Sequence, residues 1–337
     1  MRLRARLTTT TAGLFMALAA VTSLSGCMTV HGETAVVPAA TEDEAEQVLE
    51  RYFEVTNEAR RTYDAELNAT VEAGALAEIN GAGLTAQGAL AEEAAAAEGE
   101  EGAEGEETDG AAQLSYANPR FLIPQQAGWP KFFMVDTEIE GNESRWLLTF
   151  SRNSVDEEWK ARYLSVLQPS AIPEFAEDED GYLEDIQIAS EDTGLSVVPG
   201  ELGTAYTEYL DQGQGSFLGG PYTSEVLAAR EAAAEDPASS TDFADVPSEQ
   251  DAHPTFAVRT ADGGALVLFT MRMDEKRTWA EGETPQVHEM VKPLMQGTAD
   301  SAVTLQRYAT FTAYVPEGED PVDLRGRMAG VFQALGE

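Results

Sequence analysis

The stretch FFMVDTEIEGNESRWLLTFSRNSVDEEWKARYLSVL, residues 132–167, decides the fold. Aromatic and branched residues crowd into 132–137, 145–152 and 159–167, the side chains that suit a pleated, half-buried surface. Gly141-Asn142 and the polar run 153–158 separate them. Three such runs divided by short turn signals predict an antiparallel meander.

Upstream of the meander the hydrophobic period changes from two to between three and four. Thr41-Glu42-Asp43-Glu44 has the Ser/Thr-x-x-Glu form of a capping box, in which hydroxyl and carboxylate each satisfy a free backbone N–H. Ala45, Val48, Leu49, Tyr52, Phe53, Ala59 and Tyr63 then fall on one helical face. A second helix is expected after Asp64, with Leu67, Val71, Leu76 and Ile79 as its apolar side. Residues 86–112 carry nine acidic residues between Glu92 and Asp109 and no base, interleaved with Ala and Gly. That composition predicts a disordered acidic insertion, with a frayed helix around 90–97.

The same order returns in the second half. Helical residues at 202–210 and 224–234 precede Phe256-Ala257-Val258-Arg259-Thr260, which compares with Phe133-Met134-Val135-Asp136-Thr137. Leu147-Leu148-Thr149-Phe150-Ser151-Arg152 likewise compares with Val267-Leu268-Phe269-Thr270-Met271-Arg272, and the Arg-to-Trp interval is the same from Arg152 to Trp159 as from Arg272 to Trp279. Arg162-Tyr163 matches Arg307-Tyr308 if residues 280–304 are an insertion. A closing helix is expected from Asp320 as cap and Pro321 at its first position, with Leu324, Met328, Val331, Phe332 and Leu335 on one side. The expected class is therefore α+β, as two tandem helix-then-meander units at 42–170 and 201–337, joined by an acidic connector at 171–200. This element order resembles the cone fold of nuclear transport factor and ketosteroid isomerase relatives, in which a curved sheet wraps a long helix.

The N-terminus bears on location. Arg2, Arg4 and Arg6 precede an apolar run near 12–21, too short to span a bilayer comfortably and laid out as a secretory signal. Leu24-Ser25-Gly26-Cys27 resembles the bacterial lipobox, which implies that residues 1–26 are removed and that a diacylglyceryl group joins the Cys27 sulfur; Pro38 and the lack of periodicity predict a flexible tether over 27–41. Two acyl chains hold a protein on a membrane where one short chain does not. Together with MTVHGE, RFLIPQQAGWPKFF (120–133) and DTGLSVVPG (192–200), the lipobox resembles an uncharacterised actinobacterial lipoprotein family. The resemblance implies the outer face of the cytoplasmic membrane and no particular activity.

With 60 acidic against 21 basic residues the chain has a net charge of −39. That field repels nucleic acid. Cys27 is the only cysteine and there are three histidines, His31, His253 and His288. His288-Glu289 does not continue to a zinc-protease motif, because Lys292 stands where the second histidine is needed. Asp178-Glu179-Asp180-Gly181 fails the calcium-loop register, with Ala176 and Gln187 at the ligand ends. Gly81-Ala82-Gly83-Leu84-Thr85-Ala86 follows a helix rather than a strand, and Ser216 lacks the glycine of a nucleophile elbow. No cofactor or metal is expected. One chemical reading stands: cone folds can bury a carboxyl of raised pKa in an apolar pocket. Asp136 would be that acid, or simply an outward position on an alternating strand, with His288 near the mouth. The expected function is a non-catalytic envelope module that binds an envelope protein or a small apolar ligand; the alternative is an envelope isomerase or hydrolase.

Overall fold

The computed structural model describes residues 35–98 and 113–337. The signal segment, the lipobox with Cys27 and the acidic stretch 99–112 lie outside the described residues. The first half runs Val36–Pro38 (β1), Glu42–Thr62 (α1), Ala65–Asn68 (α2), Gly74–Glu98 (α3), Tyr116–Leu122 (β2), Pro124–Ala127 (β3), Lys131–Ile139 (β4), Arg145–Arg152 (β5) and Lys160–Leu167 (β6). Thr41 caps α1 as its motif predicts, its Oγ1 accepting the Glu44 N–H at 3.2 Å. The Glu44 carboxylate does not complete a box; it accepts from Trp159 Nε1 at 2.9 Å and pairs with Arg152.

Three features of this region differ from the sequence reading. Residues 36–38 of the expected tether pair with β3, and Ala39 and Ala40 are buried, so the chain is fixed to the fold from Val36 onward. Residues 86–98 are helical rather than disordered. Alanine is the strongest helix former, and the segment continues from a turn anchored by the buried Leu84 and Ala86 into a helix whose residues 92–97 are exposed. The helix after Asp64 breaks early: α2 ends at Asn68, and α3 restarts at Gly74, whose φ of +62° suits glycine.

Strands β2-β4-β5-β6 form one antiparallel sheet in that order. Phe133 faces Phe150 across β4 and β5, and Thr149 faces Tyr163 across β5 and β6. Phe133, Val135, Leu148 and Phe150 pack on Leu49, Tyr52 and Phe53 of α1. Phe132, Met134, Leu147 and Tyr163 point the opposite way into a separate cluster. Both faces being covered explains why β4 and β5 read as near-continuous apolar runs rather than alternating ones.

The second half runs Leu183–Glu184 (β7), Leu202–Gln212 (α4), Ser224–Ala234 (α5), Ser239–Pro247 (β8), Phe256–Arg259 (β9), Ala265–Trp279 (β10), Met295–Gln296 (β11), Ala302–Val315 (β12) and Asp323–Gly336 (β13). Its sheet has the order β11-β13-β12-β10-β8, with β9 also on β10. Val267, Phe269, Phe311 and Ala313 lie under Leu202, Tyr206 and Leu210 of α4. Leu266, Leu268, Phe256 and Val258 face the first sheet and complete its second cluster. Phe132 and Phe256 meet at 4.5 Å, and the buried Tyr163 hydroxyl joins Thr270 Oγ1 and Pro254 O. The layers are thus helix, sheet, sheet, helix, and the class is α+β. The acidic connector is built into this arrangement, since Phe175 and Leu183 belong to the shared cluster. Val36–Glu337 forms one compact unit.

The closing helix is the clearest correction, because residues 323–336 are strand β13, paired along its length with β12. Its apolar spacing suits a helix, but Gly326 and Gly330 inside it weaken one by about 1 kcal/mol each. In the strand they are close-approach points. A Cβ at Gly326 would lie 2.7 Å from Leu167 Cδ2, and one at Gly330 would lie 2.5 Å from Ile79 Cγ2.

Candidate functional site: a cavity floored by a buried carboxyl

Between α2 and α3 the chain is extended and lies along the first sheet. Ala161 N donates to Val71 O at 2.8 Å and Ala73 N donates to Ala161 O at 2.9 Å, so Glu72 sits as an added strand residue beside β6. The side chain of Glu72 turns inward and is 1% exposed. Its Oε1 accepts from Tyr52 Oη at 3.1 Å and its Oε2 from Asn68 Nδ2 at 2.6 Å, while Asn80 Nδ2 reaches both oxygens at 2.9 and 3.0 Å. Burial raises the Glu72 pKa to about 7, against the lowering pull of those three donors. Burial, together with the Glu72 charge, also drives the Tyr52 hydroxyl well above its ordinary value.

Tyr52, Asn68 and Asn80 form the polar floor of a cavity of about 620 Å³. Its walls are mostly apolar, with Leu84 and Ile79 from α3, Trp146 from β5 and Leu164 from β6, and Arg60 of α1 and Gln87 of α3 are the polar exceptions. The second half closes it with Met290, Val291 and Leu294, from the 280–301 link between β10 and β12, and with Gly330 and Val331 of β13. Two buried polar atoms at this floor, Thr56 Oγ1 and Asn68 Oδ1, meet no partner in hydrogen-bonding geometry.

The residues singled out in the sequence are elsewhere. Asp136 is buried and held by Arg145, whose other arm takes Glu138 at 2.9 Å; it does not line the cavity. His288 is exposed and accepts the Met290 N–H at 3.2 Å, fixing the short helix Glu289–Leu294 that roofs the cavity without entering it. The structure brings neither to the other. His253 has a structural place: its Nδ1 accepts the Ala75 N–H at 3.1 Å at the start of α3, and burial followed by the Arg162 charge lowers its pKa. Glu72 is the residue missed. A signal existed, because Asn68, Glu72, Leu76 and Asn80 recur every four residues and put three polar groups in an otherwise apolar line. Among the described residues no group of His, Cys, Asp and Glu is arranged to hold a metal, and no helix is long and apolar enough to cross a membrane.

Residues 36–336 match the family described as Domain of unknown function (DUF8094). The chain is also 38% identical over 328 residues to an uncharacterized lipoprotein of Streptomyces coelicolor, covering 96% of this chain and 95% of that one. An uncharacterized lipoprotein of Streptomyces avermitilis is 34% identical over 330 residues, with the same coverage. The chain belongs to this actinobacterial lipoprotein family. No solved structure matches it. The family match begins at Val36, the residue at which the chain joins the fold.

Proposed function

We propose that this family member is an envelope lipoprotein, held through Cys27 on the outer face of the cytoplasmic membrane, that binds a small, largely apolar ligand with one polar end in the Glu72-floored cavity. The observation that carries this reading is the pairing of mostly apolar walls with a polar end formed by Tyr52, Asn68 and Asn80. Relatives named as lipoproteins across nearly the whole chain support the anchor. The alternative, an isomerase or hydrolase using a carboxylate, has less support. Glu72 lies behind Tyr52, Asn68 and Asn80 and is not itself a wall of the cavity, so a substrate meets its donors and not its oxygens.

Gly83 supplies the test. It lines the cavity, and a Cβ there meets nothing within 4 Å, so a side chain can be added at this position without a clash at its first atom. Gly83→Phe keeps or slightly raises Tm, since glycine inside a helix is unfavourable by about 1 kcal/mol. It abolishes the fluorescence gain of the uncharged dye N-phenylnaphthylamine on the compact unit 36–337. Equal dye binding by both proteins refutes the cavity as the site. For the anchor, metabolic fatty-acid label appears on the full chain and disappears in Cys27→Ala.

A further inference from the structure

The second half has a cavity of its own, of different chemistry. Beyond α4 the strands β8, β10, β12 and β13 run on under α5, and they leave a groove of about 490 Å³. Four arginines converge there, Arg230, Arg277, Arg307 and Arg327. Three of them are matched: Arg230 with Asp245, Arg277 with Asp236 and Arg307 with Glu275. The fourth acid of the groove, Asp274, is taken by Arg272 from outside it. Arg327 is left over.

Among the described residues Arg327 has no carboxylate partner. Its side chain donates to Met273 Sδ at 3.9 Å, and its guanidinium carbon lies 5.9 Å from the centre of the Phe311 ring. Burial lowers its pKa, Tyr206 and Tyr222 oppose that shift, and the charges of Arg307 and Arg230 reinforce it. In a chain with 60 acids and 21 bases, a guanidinium that lines a concave groove beside two others and has no carboxylate of its own leaves one positive charge unmatched there. The long-range negative field does not cancel it, because charges beyond about 8 Å are largely screened at physiological salt. Apart from Thr241, the rest of the groove is apolar, with Phe243 and Met273 on the sheet and Ala229 and Ala233 on α5.

We infer that this groove binds an organic carboxylate with a short apolar body, the carboxylate on Arg327 and the body against Phe243 and Met273. The fork of a guanidinium matches a carboxylate with two parallel hydrogen bonds, and one monoanion offsets the one unmatched arginine. This site is separate from the Glu72-floored cavity and does not depend on its reading.

The test uses the full chain in nanodiscs of zwitterionic lipid, titrated calorimetrically with hexanoate and with its neutral counterpart hexanamide. Hexanoate binds and hexanamide does not. Arg327→Gln weakens hexanoate binding at least about tenfold, the loss expected for one charge-assisted contact, while Tm is unchanged or higher because repulsion from Arg307 and Arg230 is relieved. Arg327→Lys retains part of the binding. Hexanoate binding persists in Gly83→Phe, which separates this groove from the other cavity. No binding of hexanoate, equal binding by Arg327→Gln, equal binding of hexanamide, or loss of binding in Gly83→Phe would each overturn the inference.

Discussion

The two halves of this protein cover a sheet with helices and leave a hollow beside it, yet they treat buried polarity in opposite ways. Under α1 and α3 the hollow has an uncharged floor at mildly acid pH, because burial keeps Glu72 protonated up to about pH 7 and its hydrogen-bond partners are neutral. Under α5 the hollow is built from ion pairs, with the Arg230 and Asp245 side chains 16% and 3% exposed. Neutral networks and paired charges both satisfy buried polar groups, but they fail differently. A lost amide leaves a bare hydrogen-bonding group, whereas a lost guanidinium leaves a bare charge.

That contrast is open to direct attack, beginning with its charged side. Arg230→Met strands the Asp245 carboxylate and lowers unfolding stability by about 3 kcal/mol, read from denaturant midpoints. Adding Asp245→Leu restores most of the loss, and a double variant no better than the single one removes the ion pair as the cause. On the neutral side the expected effect depends on pH. The folded-state pKa of Glu72 lies above its ordinary 4.5, so its contribution to stability is complete below that value and fades as pH rises through about 7. Relative to Glu72→Gln, the natural protein therefore loses up to about 3 kcal/mol between roughly pH 5 and pH 8. A constant difference between the two proteins over that range contradicts the buried, protonated carboxyl. The smallest effect concerns the covering helices. Thr41→Ala costs about 1 kcal/mol by removing the cap of α1. Glu201→Ala stays within about 0.5 kcal/mol, because α4 has no side-chain cap to lose.

The sequence made the strands at 132–167 and the helices at 42–62, 202–212 and 224–234 legible because each carries a period or a turn signal of its own. What it concealed was decided by neighbours. Residues 323–336 have helical spacing, and only the β12 edge and the contacts over Gly326 and Gly330 make them a strand. Residues 86–98 have no amphipathic pattern, so alanine's preference for helix and the burial of Ala86 settle them instead. The kind of site was foreseeable, a carboxyl of raised pKa beside an apolar pocket, but not its place. Asp136 was conspicuous on a strand, while Glu72 needed the helix break at 69–73 to turn it inward. Whether Asp136 faced solvent could not be read without Arg145 lying across from it.

The cavity above Glu72 is walled by residues nearly three hundred positions apart, and the first turn of α3 is capped by a histidine from the far half. Neither half can be expressed, swapped or duplicated as a module without opening that chamber. A ligand lodged in it would act as a rivet, and its departure would be felt first along the seam between the two sheets.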